Sequence, residues 1–433
     1  MPIPIELALL GAGHRGYHAY GPYAIHNPHL ARWVAVAEPD PERRERFASE
    51  HGIPPERCFA SWEELLARPQ LAEALVNCTM DRTHVPSTLA ALEAGYHVLL
   101  EKPMAVTPID CVRLVQASER AGRMLQICHV LRYTAFWGTL HDILDSGRLG
   151  RVITVDHREN VAYWHQAHSF VRGNWCNEGA SAPMILAKCC HDMDILYWNL
   201  GAPVRRLSAF GGLSHFRRDQ APPGAPERCT DGCPAQNRCP YYAPRLYLRP
   251  GNGWPVSVLS SDLSLAGRLK ALREGPYGRC VYHCDNDVVD HQVIAMELED
   301  GVTVSFTMQG HSHDNVRTMR HDGTRATLRA SEAAQEIAIY DHLTGNREVI
   351  HPAAAQGGHG GGDTGVMDAF VAALRSAERN DAVLTSARAS LESHLMAFAA
   401  EEARVTGAPV DMAAYRARVA REAEEGGARI NAD

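Results

Sequence analysis

Long apolar runs are missing from this sequence. Arg, Asp or Gly interrupts each hydrophobic stretch before it nears the roughly 18 residues that a membrane-spanning helix needs. No secretory leader is expected either: the opening MPIPIELALLGAG has no basic residue ahead of its short apolar run, which enters a glycine turn instead of a cleavage site. No short-period repeat is visible, which argues against a solenoid or propeller. Positive charge is outweighed, with a formal net charge of -8 and no basic stripe of the kind that holds a phosphate backbone. These absences point away from membrane and nucleic acid as partners and toward a small polar ligand, in a cytoplasmic protein.

What is present is ordinary globular composition, 45% hydrophobic and 22% charged, in a chain of 433 residues. That length exceeds what one hydrophobic core usually organises, so two domains are expected. Twelve cysteines in a long leaderless chain read as reduced thiols or metal ligands rather than disulfides.

From Ile5 to about Cys128, apolar runs (IELALLGAG, WVAVAEPD, ALVNCTMD, HVLLEKP, MLQICH) alternate with helical patterns over 41–50, 61–67, 85–94 and 108–121. The alternation predicts a doubly wound parallel sheet, and hence an α/β fold with a Rossmann domain over residues 1–130. After Thr134 the character changes. A helix to Ser146, a strand over 151–160, a helix over 183–199 and strands over 288–298, 302–308, 317–320 and 326–329 predict an α+β domain over 131–433. Asp-Gly turns at Asp300 and Asp322 make its large sheet mostly antiparallel. Residues 220–277 are rich in Pro, Gly and Cys without periodicity, and read as a long loop inside a Cys-rich insertion over 220–284. Two helices over 364–376 and 384–404 close the domain, and the final REAEEGGARINAD reads as a frayed tail.

Gly11, Gly13 and Gly16 give Gly-x-Gly-x-x-Gly spacing between a strand and a helix. The first glycine permits the tight turn, the second lets a pyrophosphate approach the backbone, and the third lets helix and strand pack closely. The anion then rests on the helix N-terminus, beside His14 and Arg15. The next strand ends in Glu38, about 22 residues beyond the last glycine, where a carboxylate binds a ribose diol. Its charge repels a 2′-phosphate, which favours NAD over NADP, although Arg15 and Arg43 nearby soften that preference.

These features resemble the glucose-fructose oxidoreductase, inositol dehydrogenase and rhizopine catabolism (Gfo/Idh/MocA) family. The landmarks are GAGHRG at 11–16, AEPD at 37–40, the Glu101-Lys102-Pro103 triplet, and His-x-x-Asp at His191 and Asp194. The resemblance implies a Rossmann domain followed by an open antiparallel sheet, with substrate on that sheet beside the nicotinamide. It also implies oxidation of a secondary alcohol of a sugar, cyclitol or derivative, in a homodimer or tetramer. Thr79, His84, Glu101, His129 and Arg132 fall near Rossmann strand ends, where the family contacts its cofactor.

Lys102 makes chemical sense by itself, because open α/β sheets place ligands at the C-terminal ends of their strands. Its ammonium there stabilises an alkoxide as hydride leaves. The family helix carries Asp-x-x-x-His-x-x-Asp, but here the first position is Ala187. Acid-base work therefore falls to His191, with Lys188 three residues earlier as a helper or as positive charge for an acidic substrate. Tyr163, Trp164, His165, His168, Arg172, Asn174 and Trp175 supply the aromatic faces and hydrogen-bonding groups that hold sugars. His291 is substrate-facing or simply buried. The run from Gly358 to Asp363, with His359 inside it, reads as a lid or a linker.

Cys229, Cys233 and Cys239, followed by Cys280 and Cys284, crowd the insertion. Thiolates around a structural zinc, with Cys280 or Cys284 as the fourth ligand, would order such a loop without oxidation, and an iron-sulfur cluster also uses four thiolates. The leading expectation is an NAD-dependent sugar dehydrogenase. Two readings compete: a glycosidase or lyase acting through transient oxidation and elimination with no net redox change, and a non-catalytic sensor binding NAD and a sugar.

Overall fold

The aliphatic runs of the first third become six short strands: β1 (Ile5–Leu10), β2 (Ala31–Ala37), β3 (Cys58–Phe59), β4 (Ala74–Asn77), β5 (His97–Leu100) and β6 (Leu125–Ile127). They are seen in a computed structural model, which describes residues 3–353, 357–376 and 383–430. Every pairing is parallel, in the order β3-β2-β1-β4-β5-β6. The order reverses between β1 and β4, and such switch points are where doubly wound sheets hold ligands. The crossover helices begin where side chains can cap them. Asp40 accepts from the Arg43 amide ahead of the helix Pro41–His51, Ser61 caps Trp62–Leu66, and Thr107 caps Pro108–Ala121.

The second sheet has nine strands: β7 (Val152–Ala162), β8 (Val204–Gly212), β9 (His291–Leu298), β10 (Thr303–Ser312), β11 (Val316–Gly323), β12 (Ala326–Ser331), β13 (Glu336–Asp341), β14 (Arg347–Ile350) and β15 (Val410–Asp411). Their order is β14-β13-β12-β11-β7-β10-β9-β8-β15, antiparallel except for β7 beside β10. Alternate residues such as Ile294, Met296 and Leu298 face inward, against the helices Cys190–Leu200 and Ala387–Thr406. The latter helix is lined by Ala397, Ala399, Ala400 and Ala403, small enough for close approach of sheet and neighbouring helices. The helix Gly362–Arg375 returns to the first domain, where Val366, Met367, Phe370 and Val371 join Leu7, Leu9 and Val36 in one core.

Three expectations need correction. The segment expected to fray continues the helix Met412–Ile430, because Met412, Tyr415, Val419 and Ala423 repeat at helical spacing and are buried; residues 431–433 lie outside the described residues. The 220–277 loop contains the helices Ala243–Tyr247 and Leu265–Glu274. The helix expected over 183–199 is two helices, Met184–Ala187 and Cys190–Leu200. Among the described residues no helix is long and apolar enough to cross a membrane.

Candidate active site

The glycine turn follows from steric necessity at two positions and from open space at the third. Gly11 has φ +86°, and a Cβ there would lie 2.5 Å from the Cys78 carbonyl oxygen; at Gly16 it would lie 2.0 Å from the oxygen of Gly11. A Cβ on Gly13 would meet nothing within 4 Å, so this stretch of backbone borders free space suited to a pyrophosphate. Glu38 folds over the turn, accepting from the amides of Ala12 (2.7 Å) and Asp40 (3.0 Å). Each carboxylate oxygen keeps further acceptor capacity for a diol. His14 is exposed at the start of the helical turn His14–Tyr20, and Thr79 adjoins Gly11, its amide and hydroxyl both donating to Asn77 Oδ1.

Arg15 is committed inside the protein. Its guanidinium donates to Glu101 (2.5 Å), the Tyr20 hydroxyl (2.7 Å) and both oxygens of Asp363 (2.8 and 3.1 Å). Glu101 also accepts from Tyr20 (2.6 Å) and the Lys102 amide (3.0 Å). Burial would raise the pKa of Glu101, but Arg15 and the Tyr20 hydroxyl outweigh it and hold it below the ordinary carboxylate value. The expected lid or linker at 358–363 is thereby fixed through Asp363 to the glycine-turn helix.

Lys102 leaves β5 and donates from Nζ to the carbonyl of Ala187 at 2.9 Å. That carbonyl ends the helix Met184–Ala187, and a donor from the other domain now satisfies it. Lys188 stands in the break and reaches Glu159 of β7 at 3.3 Å, so the helical spacing expected to align it with His191 does not apply. His191 is buried with Nδ1 unpartnered, its ring 5.9 Å from that of His129 and 6.1 Å from that of His359. Burial, then the charge of Lys102, then His129 drive its pKa well below 6.5, so the ring is neutral at neutral pH.

Around the mouth, His165 bonds Asn315 Oδ1 at 2.8 Å and faces the Trp254 ring at 4.8 Å, while Trp164 lies 5.4 Å from Trp254. Burial and then the charge of Lys188 push His165 down to about 3. His168 stacks on Tyr277 at 4.7 Å and bonds the Tyr247 hydroxyl at 2.8 Å, and Tyr163 meets Tyr241 edge-on at 6.0 Å.

Four expected site residues serve other contacts. His84 lies between the carbonyls of Pro103 (Nδ1, 2.7 Å) and Thr79 (Nε2, 3.1 Å), to one of which a neutral ring donates. Arg132 makes a buried two-pronged pair with Asp194 (2.8 and 2.6 Å) and bonds the Leu384 carbonyl, so it anchors the helix Cys190–Leu200. Arg172 is buried beneath the insertion, donating to the carbonyls of Arg279 and Tyr241 (2.7 Å each). Trp175 donates to Asp81 at 3.1 Å, tying the two domains. His291, 48% exposed at its side chain, pairs with Asp290 at 2.8 Å on the outer part of the sheet, away from the buried face.

Zinc finds no support. Among the described residues no group of three or more His, Cys, Asp or Glu is placed to hold a metal ion. Cys229, Cys233, Cys239 and Cys280 instead stand around a small void, and Cys284, donating to the Cys280 carbonyl at 3.2 Å, lies outside its lining.

Several participants escape sequence reasoning: Glu159, Tyr20 and Trp254. Glu159 left a trace, since the alternation of β7 puts His157 and Glu159 at inward positions where apolar residues belong. Trp254 left none, lying in an aperiodic stretch.

Residues 5–129 match the model described as oxidoreductase family, NAD-binding Rossmann fold, and residues 142–412 match the oxidoreductase family C-terminal alpha/beta domain. The chain belongs to the Gfo/Idh/MocA oxidoreductase family. It is thus an NAD-binding oxidoreductase. Among curated relatives, YteT of Bacillus subtilis (strain 168) is 23% identical over 71% of this chain and 74% of its own length. Inositol 2-dehydrogenase 4 of Saccharopolyspora erythraea is 32% identical, but over 46% of this chain and 54% of its own length. 1,5-Anhydro-D-fructose reductase of Ensifer adhaerens is 38% identical over 28% of this chain and 35% of its own. With the last two, the match spans about half of the relative or less. A crystal structure of an inositol dehydrogenase homolog from Azotobacter vinelandii, complexed with NADH and myo-inositol, superimposes with TM-score 0.67 at 17% identity, covering 95% of this chain and 98% of that one. An oxidoreductase from Agrobacterium radiobacter, in complex with NAD+, L-tartaric acid and magnesium, gives 0.68 at 15% identity, covering 95% and 99%. At those identities the likeness is one of fold.

Proposed function

We propose that this Gfo/Idh/MocA member oxidises a secondary hydroxyl of a sugar, cyclitol or sugar derivative. The observation that carries the reading is the meeting of Lys102 with the Ala187 carbonyl beside a buried, neutral His191 whose Nδ1 has no partner. NAD would lie along Gly11, Gly13 and Gly16 with its ribose diol on Glu38, and supplies the hydride acceptor. The protein supplies the rest. His191 is neutral, so it can accept the hydroxyl proton. Lys102 spends one of its three N–H groups on Ala187 and keeps two for the substrate oxygen, whose growing negative charge its ammonium stabilises. Trp164, Trp254 and His165 form an aromatic wall for a sugar face, and Lys188, held by Glu159, supplies a cation in reach of His165. The inositol dehydrogenases and the anhydrofructose reductase among the relatives support this class of substrate.

The test is incubation of the enzyme with NAD and a panel of sugars, cyclitols and aryl glycosides while NADH absorbance is followed. NADH formed in proportion to one polyol supports the reading. Cleavage of a glycoside without net NADH replaces it with oxidation and elimination, and binding of both ligands without turnover replaces it with a sensor.

A further inference from the structure

Given the dehydrogenase centre proposed above, on which this rests, we infer that the substrate is a sugar acid whose carboxylate is held by Lys188. The chain is sparing with lysine: of its 43 basic residues, all but Lys102, Lys188 and Lys270 are arginine. Two of those three meet at one place, because Lys102 Nζ bonds the carbonyl of Ala187, the residue immediately before Lys188. Where a basic side chain braces the fold, arginine grips its carboxylate with two prongs, as Arg132 does Asp194, Arg416 does Glu392 and Arg320 does Asp322. A guanidinium gripping Glu159 in that way would turn its fork toward the protein. The Lys188 ammonium instead meets a single oxygen of Glu159, at 3.3 Å, and at least two of its three N–H groups remain for a ligand. Its side chain is 18% exposed, whereas that of Glu159 beneath it is 2% exposed.

The carboxylates nearby are inward and already paired. Arg15 holds Glu101 and Asp363, Arg132 holds Asp194, and Arg317 holds Asp192, all four acids being buried. Glu159 answers two cations at once, Lys188 and Arg317, the latter at 2.7 Å. Lys102 touches a carbonyl oxygen, which carries no charge to offset its own. A neutral polyol would give one of the two ammonium groups an alkoxide to stabilise and leave the other without an anion of the substrate. A carboxylate supplies that anion, in a charge-assisted hydrogen bond. His165 adds no positive charge, because burial and then the charge of Lys188, with Lys102 adding to them, keep its ring neutral. Its Nδ1 donates to Asn315 Oδ1, which also accepts from the Ala162 amide, so Nε2 is left as an acceptor suited to a sugar hydroxyl. A cation for a carboxylate and an acceptor for a hydroxyl, within electrostatic reach of each other, fit the two polar ends of a sugar acid.

The experiment is calorimetric titration of the full chain, saturated with NADH, with glucuronate, galacturonate and gluconate and with their neutral counterparts glucose, galactose and myo-inositol. At least one acid should bind about 10- to 100-fold more tightly than its neutral counterpart, the worth of one hydrogen bond to a charged group. Added salt should narrow that gap. Lys188→Gln, checked for native circular dichroism and unchanged NADH affinity, should abolish it. Neutral sugars binding as tightly as the acids to the wild-type protein, no binding of any acid, or an undiminished preference in folded Lys188→Gln overturns the proposal. Because the readout is binding, it is separable from turnover: an acid held tightly through Lys188 but never oxidised supports the acid site and counts against the dehydrogenase reading, whereas neutral sugars bound and oxidised as readily as acids do the reverse.

Discussion

Lys102 touches two parts of the chain at once, the end of a Rossmann strand and the last carbonyl of a helix 85 residues later. Replacing it with Met removes a charge aimed at the reacting oxygen. Turnover should fall by about 10²–10³-fold, the usual cost of deleting an oxyanion donor, while NAD affinity measured by calorimetry stays nearly unchanged. An equal loss of NAD affinity would instead make Lys102 a scaffold residue. Glu38 belongs to the same scale. Its Gln variant no longer repels a 2′-phosphate, so the ratio of NADP to NAD use should rise, and an unchanged ratio would remove Glu38 from ribose recognition. Legibility differed between these residues for a physical reason. The glycines and Glu38 act through local backbone geometry, which spacing encodes. Arg132 and Arg172 act through partners 62 and 107 residues away, which spacing does not encode.

At the scale of elements, capped helices were legible wherever the cap is local, as with Asp40, Ser61 and Thr107. The break after Ala187 was not, and the lysine that bonds the carbonyl there comes from another element. The anchoring of the Lys102 turn by His394, which accepts from the Met104 amide at 3.0 Å across 290 residues, was equally hidden. The joint of Arg15 with Glu101 and Asp363 makes a sharp prediction. Arg15→Leu takes the guanidinium away from two buried carboxylates, leaving Glu101 with the Tyr20 hydroxyl and the Lys102 amide and Asp363 with His359, which should cost about 3 kcal/mol of stability, measured by denaturant unfolding. Loss of less than about 1 kcal/mol would mean that the joint behaves like a surface ion pair.

For the whole molecule, buried neutral histidines set the acid limit. His321 and His394 are fully buried, and burial chiefly pushes each from 6.5 down to about 3. As pH falls below 6.5 the unfolded chain takes up protons that the folded rings refuse, so stability is full above 6.5 and declines steadily toward 3. Each ring contributes a slope of about 1.4 kcal/mol per pH unit in that window. Unfolding midpoints should therefore drop as pH is lowered through the window, and His394→Gln should flatten the decline. Indifference of the wild type to acid in that range would contradict the assignment.

The helix Gly362–Arg375 has a temporal consequence. Its apolar face belongs to the Rossmann core, yet it is synthesised long after β6, with most of the second domain in between. At roughly 5–20 residues per second, the nucleotide-binding half waits on the ribosome for tens of seconds with part of its core unfilled. A nascent chain arrested soon after β6 should be cut readily by protease, and one released after residue 375 should resist. The chain's first domain is thus among the last parts of the protein to be finished.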